Sequence, residues 1–443
     1  MKICVLSGSP KGKYSVSLQT VLYLQKHFPE DNFEILHIGQ SIRALERNFA
    51  PAAKAMQEAE LLLFCYPVYT FLAPSQLARF IALCKGENLD LGGKFAAQFT
   101  TSKHFYDVTA HKYIEENCAD LGLRYLGGLS ADMDDLLCER GQNEAISFWN
   151  YLRFGAEELD IPIPSPISQS SAAPYKKCLA DCPKTMSGDT VIVADMDETS
   201  QNLQAMVEDF AACYPGQTRV VNIRDYPFAG GCLGCFRCAG DGKCVYKDGF
   251  DTFLREKIQS ADALVYAFSI RDHSMGPIFK CYDDRQFCNG HRTVTVGMPV
   301  GYLVDGDYGA ERNLQTVIEG RAEVGQNFLA GVGTDAESIL RMAKTLAYAK
   351  KEHLLLPQNF LGVGGMKIFR DLIYVMRGLM RADHKFYKKN GIYDFPQKKR
   401  GTILKMQFLG ALTRLPGAQK HMGNKMNEGM VAPYRKIIEK QQP

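Results

Sequence analysis

Ile3-Cys4-Val5-Leu6, followed by Gly8-Ser9-Pro10-Lys11-Gly12-Lys13-Tyr14-Ser15-Val16-Ser17, is the stretch that decides the fold. An apolar strand runs into a loop of small residues and then into the start of a helix. Such a junction suits a phosphate monoester, because backbone N–H groups and hydroxyls converge at a helix N-terminus whose dipole favours an anion. Gly8 permits close approach, Ser9, Ser15 and Ser17 offer hydroxyls, Lys11 offers charge, and Val16-Ser17-Leu18 opens the helix. Taken alone, the same loop also reads as a plain strand-to-helix connection.

The surrounding pattern extends the reading. Apolar runs at Lys2-Leu6, Phe33-Ile38, Leu61-Tyr66, Lys94-Thr100 and Leu123-Leu129 alternate with helical stretches at Ser15-His27, Pro51-Glu58, Pro74-Cys84, Asp107-Ala119 and Glu144-Phe154. Five strands with intervening helices predict an α/β fold with a doubly wound parallel sheet over residues 1–155. Residues 156–188, with prolines at 162, 164, 166, 174 and 183, break the periodicity and read as a linker. A second cycle fills 189–350, with strands expected at Thr190-Ala194, Thr218-Ile223, Ala263-Phe268, Thr293-Met298 and Asn327-Gly331. The chain is therefore expected to hold two tandem copies of one five-stranded parallel fold, diverged, followed by a basic helical C-terminal extension over 351–443.

Composition agrees with two buried cores: 443 residues, 46% of them hydrophobic. The net charge of +3 conceals an asymmetry, since residues 351–443 carry 18 Lys+Arg against 6 Asp+Glu, and the preceding body carries 34 against 43. In that extension Phe369, Leu372, Met376 and Leu379 recur at helical spacing, which predicts an apolar helix face docked on the body or across a dimer. No apolar run reaches the ~18 residues of a membrane span. Met1-Lys2 leads straight into a strand, and the 14 cysteines suit a reducing compartment, so a cytoplasmic protein is expected. Lys388-Lys389 and Lys398-Lys399-Arg400 stand without any recognition module, so nucleic acid is not the expected partner.

A second run, Cys65-Tyr66-Pro67-Val68-Tyr69-Thr70-Phe71-Leu72-Ala73-Pro74-Ser75-Gln76-Leu77, ends the third strand and starts its helix. In an open α/β sheet it should reach the same carboxyl-end crevice as the phosphate loop, and its aromatic and backbone groups suit an isoalloxazine ring. Gly-Ser-Pro-Lys, then Ser-x-Ser-Leu, then Pro-Val-Tyr with Pro-x-x-Leu behind it resembles the NADPH-dependent FMN reductase branch of the flavodoxin-like superfamily, across most of residues 1–130. The resemblance implies that Ser9, Lys11, Ser15, Val16 and Ser17 hold the FMN phosphate and that Pro67, Val68, Tyr69, Thr70 and Phe71 line the flavin. Thr101, Ser102 and His104, in the loop after the fourth strand, would close the site from the other side.

Cys232, Cys235, Cys238 and Cys244 form a C-x2-C-x2-C-x5-C run, with Gly230, Gly231, Gly234, Gly240 and Gly242 available for the turns of a tight wrap. The spacing resembles the compact motif of iron-sulfur flavoproteins, which implies a [4Fe-4S] cluster. Zinc and uncoordinated thiols are the alternatives. The second copy of the phosphate loop reads Asp195-Met196-Asp197-Glu198-Thr199-Ser200, which sets carboxylates where a phosphate would sit and disfavours a second FMN.

FMN exchanges one or two electrons and a [4Fe-4S] cluster exchanges one. The expected function is an FMN-dependent oxidoreductase passing electrons between NAD(P)H and a small-molecule acceptor, with no side-chain nucleophile or acid–base triad. The alternative is an electron-transfer protein serving ferredoxin or a partner reductase. A homo-oligomer is expected in either case.

Overall fold

The computed structural model describes residues 1–87, 89–166, 174–412, 414, 428–435 and 437–440. Part of the expected linker, 167–173, lies outside the described residues.

The first sheet contains β1 (Lys2–Ser7), β2 (Asn32–Leu36), β3 (Leu61–Pro67), β4 (Phe95–Ser102) and β5 (Arg124–Asp132), all parallel in the order β2-β1-β3-β4-β5. Its helices are α1 (Val16–His27), α2 (Ile38–Leu45), α3 (Ala50–Glu58), α4 (Ser75–Gly86), α5 (Asp107–Asp120) and α6 (Glu139–Glu158). Central β1 and β3 are buried on both faces, which is why Ile-Cys-Val-Leu and Leu-Leu-Leu-Phe-Cys-Tyr are unbroken apolar runs instead of alternating ones. Ile3 pairs with Phe33 on one side and Leu61 on the other.

The second sheet repeats the topology. It contains β6 (Met186–Ala194), β7 (Gly216–Asn222), β8 (Ala263–Ser269), β9 (Pro299–Asp305) and β10 (Phe328–Gly333), parallel in the order β7-β6-β8-β9-β10. Around it lie α7 (Gln201–Cys213), α8 (Arg237–Asp241), α9 (Phe250–Phe253), α10 (Gly276–Arg285), α11 (Arg312–Gly325) and α12 (Ala336–Glu352). The two sheets also agree in detail. Both edge strands shift register at a glycine of positive φ, Gly127 in β5 and Gly331 in β10. Both third strands also lead into a tight turn with two non-glycine residues at positive φ, Thr70-Phe71 in one copy and Asp272-His273 in the other.

One strand lies elsewhere than expected. Thr293-Val294-Thr295-Val296 alternates like a strand, but Val294 and Val296 are exposed and the segment is a turn. The fourth strand is Pro299–Asp305 instead, buried on both faces as far as Val304. An interior position in a parallel sheet selects the continuous apolar run over the alternating one, and Pro299 is tolerated because it stands first.

The two copies face each other through the helices that follow their third and fourth strands, and the largest apolar cluster takes side chains from both. Asp284 of α10, fully buried, accepts from the Ser75 backbone N–H at 2.7 Å and from Thr70 Oγ1 at 3.0 Å. A carboxylate from one copy thus supplies the anion at the N-terminus of α4 in the other. Lys280 balances it, binding Asp284 and donating to the Tyr69 carbonyl at 2.9 Å and Thr70 Oγ1 at 2.7 Å. Asn313 donates to the Thr109 carbonyl and Asn117 to that of Asp272, tying α11 to α5 and α5 to the second turn.

The C-terminal extension is helical, as expected, with α13 (Phe360–Val375), α14 (Arg381–Lys389) and α15 (Arg400–Leu412). α13 lies on α11, where Gly362 packs on the Glu323 carbonyl and Gly365 on the Phe105 ring. Residues 387–443 form a separate compact unit that includes α15.

Because Asp284 has no route to water, Lys280→Met should cost about 3–5 kcal/mol by leaving a buried carboxylate uncompensated. Urea unfolding followed by circular dichroism and by tyrosine fluorescence should show a lower midpoint, with the unfolding free energy extrapolated to water reduced by that amount.

Candidate functional site

The phosphate loop leaves β1 at Ser7, makes a short 3-10 turn over Gly12–Tyr14 and enters α1. Gly8 is pinned between its backbone bond to the Cys65 carbonyl at 2.8 Å and the Leu77 side chain, which a Cβ would strike. Ser9, Ser15 and Ser17 are almost fully buried. Ser15 stands at the N-cap of α1 without a side-chain capping bond, and Ser17 Oγ is buried with no partner in the protein. Uncapped N–H groups at a helix start and an orphaned hydroxyl are the donor set a phosphate satisfies. These residues therefore fit the phosphate end of FMN.

The ring end is built by the turn after β3. Tyr69 and Leu72 exchange backbone bonds at 2.8 and 3.1 Å, closing the turn on Thr70 and Phe71 at φ 44° and 71°. The strain is held by neighbours: Thr109 Oγ1 donates to the Phe71 carbonyl at 2.6 Å, and the Phe71 ring stands edge-on to Tyr106 at 4.1 Å. Val68 N–H donates to the Thr101 carbonyl at 3.0 Å, which links this turn to the end of β4.

A cavity of about 420 Å³ joins these parts. Ser9, Lys11, Ser15, Val16, Ser17, Pro67, Val68, Tyr69, Thr70, Phe71, Thr101 and Ser102 all line it, so twelve of the thirteen residues read from the sequence converge. His104 does not line it. Its imidazole lies half-exposed at 3.1 Å from Ser130 Oγ and 3.3 Å from Asp135, and Lys103 and Phe105 take the places at the wall.

The same cavity is lined by Cys232, Cys235, Cys238 and Cys244. The two motifs lie in different copies, and the cysteine loop of the second folds over the small-residue loop of the first. A Cβ on Gly234, at φ 59°, would collide with the Tyr69 hydroxyl, and Gln76 Nε2 donates to the Cys232 carbonyl at 3.2 Å. Lys11 Nζ lies 5.4 Å above the Phe236 ring. Burial lowers the pKa of Lys11, opposed by the neighbouring thiols of Cys235 and Cys232.

The loop is anchored by Arg285, whose buried guanidinium binds both oxygens of Asp248 at 2.8 and 2.9 Å and donates to the Gly230 carbonyl at 2.8 Å. It also reaches 3.8 Å from Cys244 Sγ. Cys238 Sγ donates to the Phe287 carbonyl at 2.8 Å, and Arg292 donates to the Cys238 carbonyl at 3.2 Å. Burial pushes the Cys238 thiol up to about 11 and the Cys232 thiol higher. Among the described residues no three of the four thiols lie within 4.8 Å of one another. All four thiols line the one cavity.

Sequence reasoning missed Arg285, Phe287, His291, Arg292 and Phe369, which complete the wall. Arg285 follows Asp283-Asp284 and reads as helix surface charge. Phe369 lies in the extension, where its spacing indicated only an apolar face.

In the second copy the equivalent loop is occupied by its own side chain. Asp197 accepts from Thr199 N–H at 3.0 Å, Thr199 Oγ1 at 2.6 Å and Ser200 Oγ at 3.0 Å, and Arg224 binds both Asp195 and Asp197. Those hydrogen bonds hold the Asp197 carboxyl down at about 2.

Residues 1–113 match the family model described as NADPH-dependent FMN reductase. None of the curated proteins compared with the chain matches it. Among solved structures the chain is similar to an FMN-dependent NADH-azoreductase from Bacillus anthracis in complex with FMN, with 15% identity over 34% of this chain and 98% of that one and a TM-score of 0.27. It is also similar to an NADH:FMN oxidoreductase in its apo form, with 17% identity, 37% and 95% coverage and a TM-score of 0.32. A third is the general stress protein 14 from Treponema denticola in complex with FMN, with 12% identity, 34% and 98% coverage and a TM-score of 0.29.

Replacing Ser15 and Ser17 together with alanine should weaken FMN binding by about 1.5–3 kcal/mol for each charge-assisted bond lost. Calorimetric titration of the stripped protein with FMN measures it, and wild-type affinity in the double variant would place the phosphate elsewhere.

Proposed function

We propose that this protein is an FMN-dependent oxidoreductase that takes electrons from NAD(P)H and delivers them to a small acceptor. The match of residues 1–113 to an NADPH-dependent FMN reductase supports the activity class. The observation that carries the reading is the cavity that joins an orphaned Ser17 hydroxyl, an uncapped helix start and the strained Thr70-Phe71 turn. Bound there, FMN supplies hydride acceptance and one- or two-electron release. The protein's part is to hold and orient it: Ser15, Val16 and Ser17 at the phosphate, Lys11 beside it, and Pro67 to Phe71 against the ring.

The finer proposal is that Cys232, Cys235, Cys238 and Cys244 hold a [4Fe-4S] cluster in the wall of this cavity, making a converter between two-electron and one-electron partners. The distribution of cations supports it. Lys11 neighbours Cys232 and Cys235, Arg285 approaches Cys244 while paired with Asp248, and Arg292 holds the Cys238 carbonyl while paired with Asp383, so three cationic side chains stand at the thiols, two of them already matched by a carboxylate. Arg285 further rests on the Tyr246 and Phe250 rings at 4.5 and 4.8 Å, which fixes its position.

Anaerobically purified protein should contain FMN and iron, and NADPH alone should bleach the flavin absorption. Cys235→Ser should remove the iron while leaving that bleaching intact, and should slow reoxidation by a one-electron acceptor. Wild type without iron would remove the cluster from the proposal. Flavin that responds to reduced ferredoxin and not to NADPH or NADH would overturn the activity.

A further inference from the structure

Away from the cavity, where α5 of the first copy meets the second turn and the start of α11, Glu116, His273 and Glu311 bring one ligand atom each to within 4.8 Å of one another. All three are buried, and His273 is fully so. It is the one such group of three among the described residues. Glu116 is 7% exposed, yet its Oε2 has no hydrogen-bond partner. A carboxyl oxygen sealed from water with nothing to accept from has to be neutralised, by a proton or by a cation.

The arrangement of the imidazole gives that cation a place. His273 Nε2 lies 2.9 Å from Asp120 Oδ2, and Lys85 binds the same carboxylate at 2.6 Å. Its Nδ1 faces Glu311 at 3.0 and 3.2 Å. With a carboxylate at each nitrogen the ring can donate to both, and a metal would take Nδ1 in place of its proton while Asp120 keeps the Nε2–H, the usual support of a metal-binding histidine. Ligand bonds of ~2.0–2.2 Å set neighbouring ligand atoms roughly 3–3.5 Å apart, and Nδ1 and Glu311 already stand at that separation.

We propose that Glu116, Glu311 and His273 Nδ1 form a binding site for one divalent first-row metal ion, with Asp120 orienting the imidazole. One imidazole with two carboxylates is a donor set for manganese, iron or zinc. Glu116 comes from the first copy and the other two ligands from the second, so the ion fastens the two copies together. Binding displaces the proton that Glu311 otherwise shares with Nδ1, and the positive charge it brings answers Glu116. The strained Asp272-His273 turn presents the ring at this point, as its counterpart Thr70-Phe71 presents groups to the cavity.

The test uses the full chain stripped with a chelator and titrated with Mn2+, a hard ion that thiolates bind poorly. Bound metal is counted from the loss of the free Mn2+ paramagnetic resonance signal. The wild type should bind one Mn2+ per chain and its unfolding temperature should rise with Mn2+ concentration. Glu116→Gln should keep the fold, bind roughly tenfold or more weakly and lose the thermal shift. Glu311→Gln serves as the second ligand variant should the first not fold. Cys235→Ser should bind Mn2+ as the wild type does. No saturable binding by the wild type, unchanged affinity in a folded Glu116→Gln, or loss of binding in Cys235→Ser would overturn the proposal.

Discussion

The buried Asp284 carboxylate at the N-terminus of α4 is the constraint on which the rest of the structure depends. An ionised group with no access to water must be fully satisfied, and here the Ser75 N–H, the Thr70 hydroxyl and the Lys280 ammonium satisfy it. Two of those donors belong to the other copy. Parting the halves would break those two bonds and the Lys280 bonds to the Tyr69 carbonyl and Thr70 Oγ1, and the turn at Thr70 is held by the same contacts. The next residue after this pair on α10 is Arg285, which anchors the cysteine loop through Asp248. One helix thus orders both the flavin-facing turn and the thiols that close over it.

Divergence between the copies has been chemical more than topological. Strand order, edge bulge and tight turn are retained in both. At the phosphate position one loop keeps buried hydroxyls and an uncapped helix, and the other fills the same donors with Asp197 and pairs its acids with Arg224. The second copy is free of the demands of a phosphate site and contributes walls: the cysteine loop, Phe287 to Arg292, and Arg321, which lies over the Phe71 ring at 5.9 Å. The extension adds Phe369, edge-on to Phe105 at 5.7 Å, so α13 completes the enclosure.

Local sequence was a good guide wherever the physics is local. The phosphate loop was legible from strand, small residues and helix start because its donors are consecutive in the chain. Nine of the ten strands were placed correctly because each carries its own apolar run. Thr293–Met298 misled because β-branched alternation describes a half-exposed strand, and the sheet required one buried on both faces. His104 was placed at the site by its position in a loop, and only the fold shows Asp135 and Ser130 drawing its ring aside.

By itself, then, the sequence determined the two α/β copies, the hydroxyl-bearing loop of the first, the carboxylate-filled loop of the second and the four closely spaced thiols. Tertiary structure alone decided that the thiols and the phosphate loop share one cavity, that Arg285 is an anchor and not surface charge, and that Glu116 meets His273 and Glu311. Those juxtapositions join residues of different elements, Arg285 to Asp248 across 37 positions and Glu116 to His273 across more than a hundred. They follow from how two sheets pack through their helices, and no periodicity or spacing along the chain carries that information.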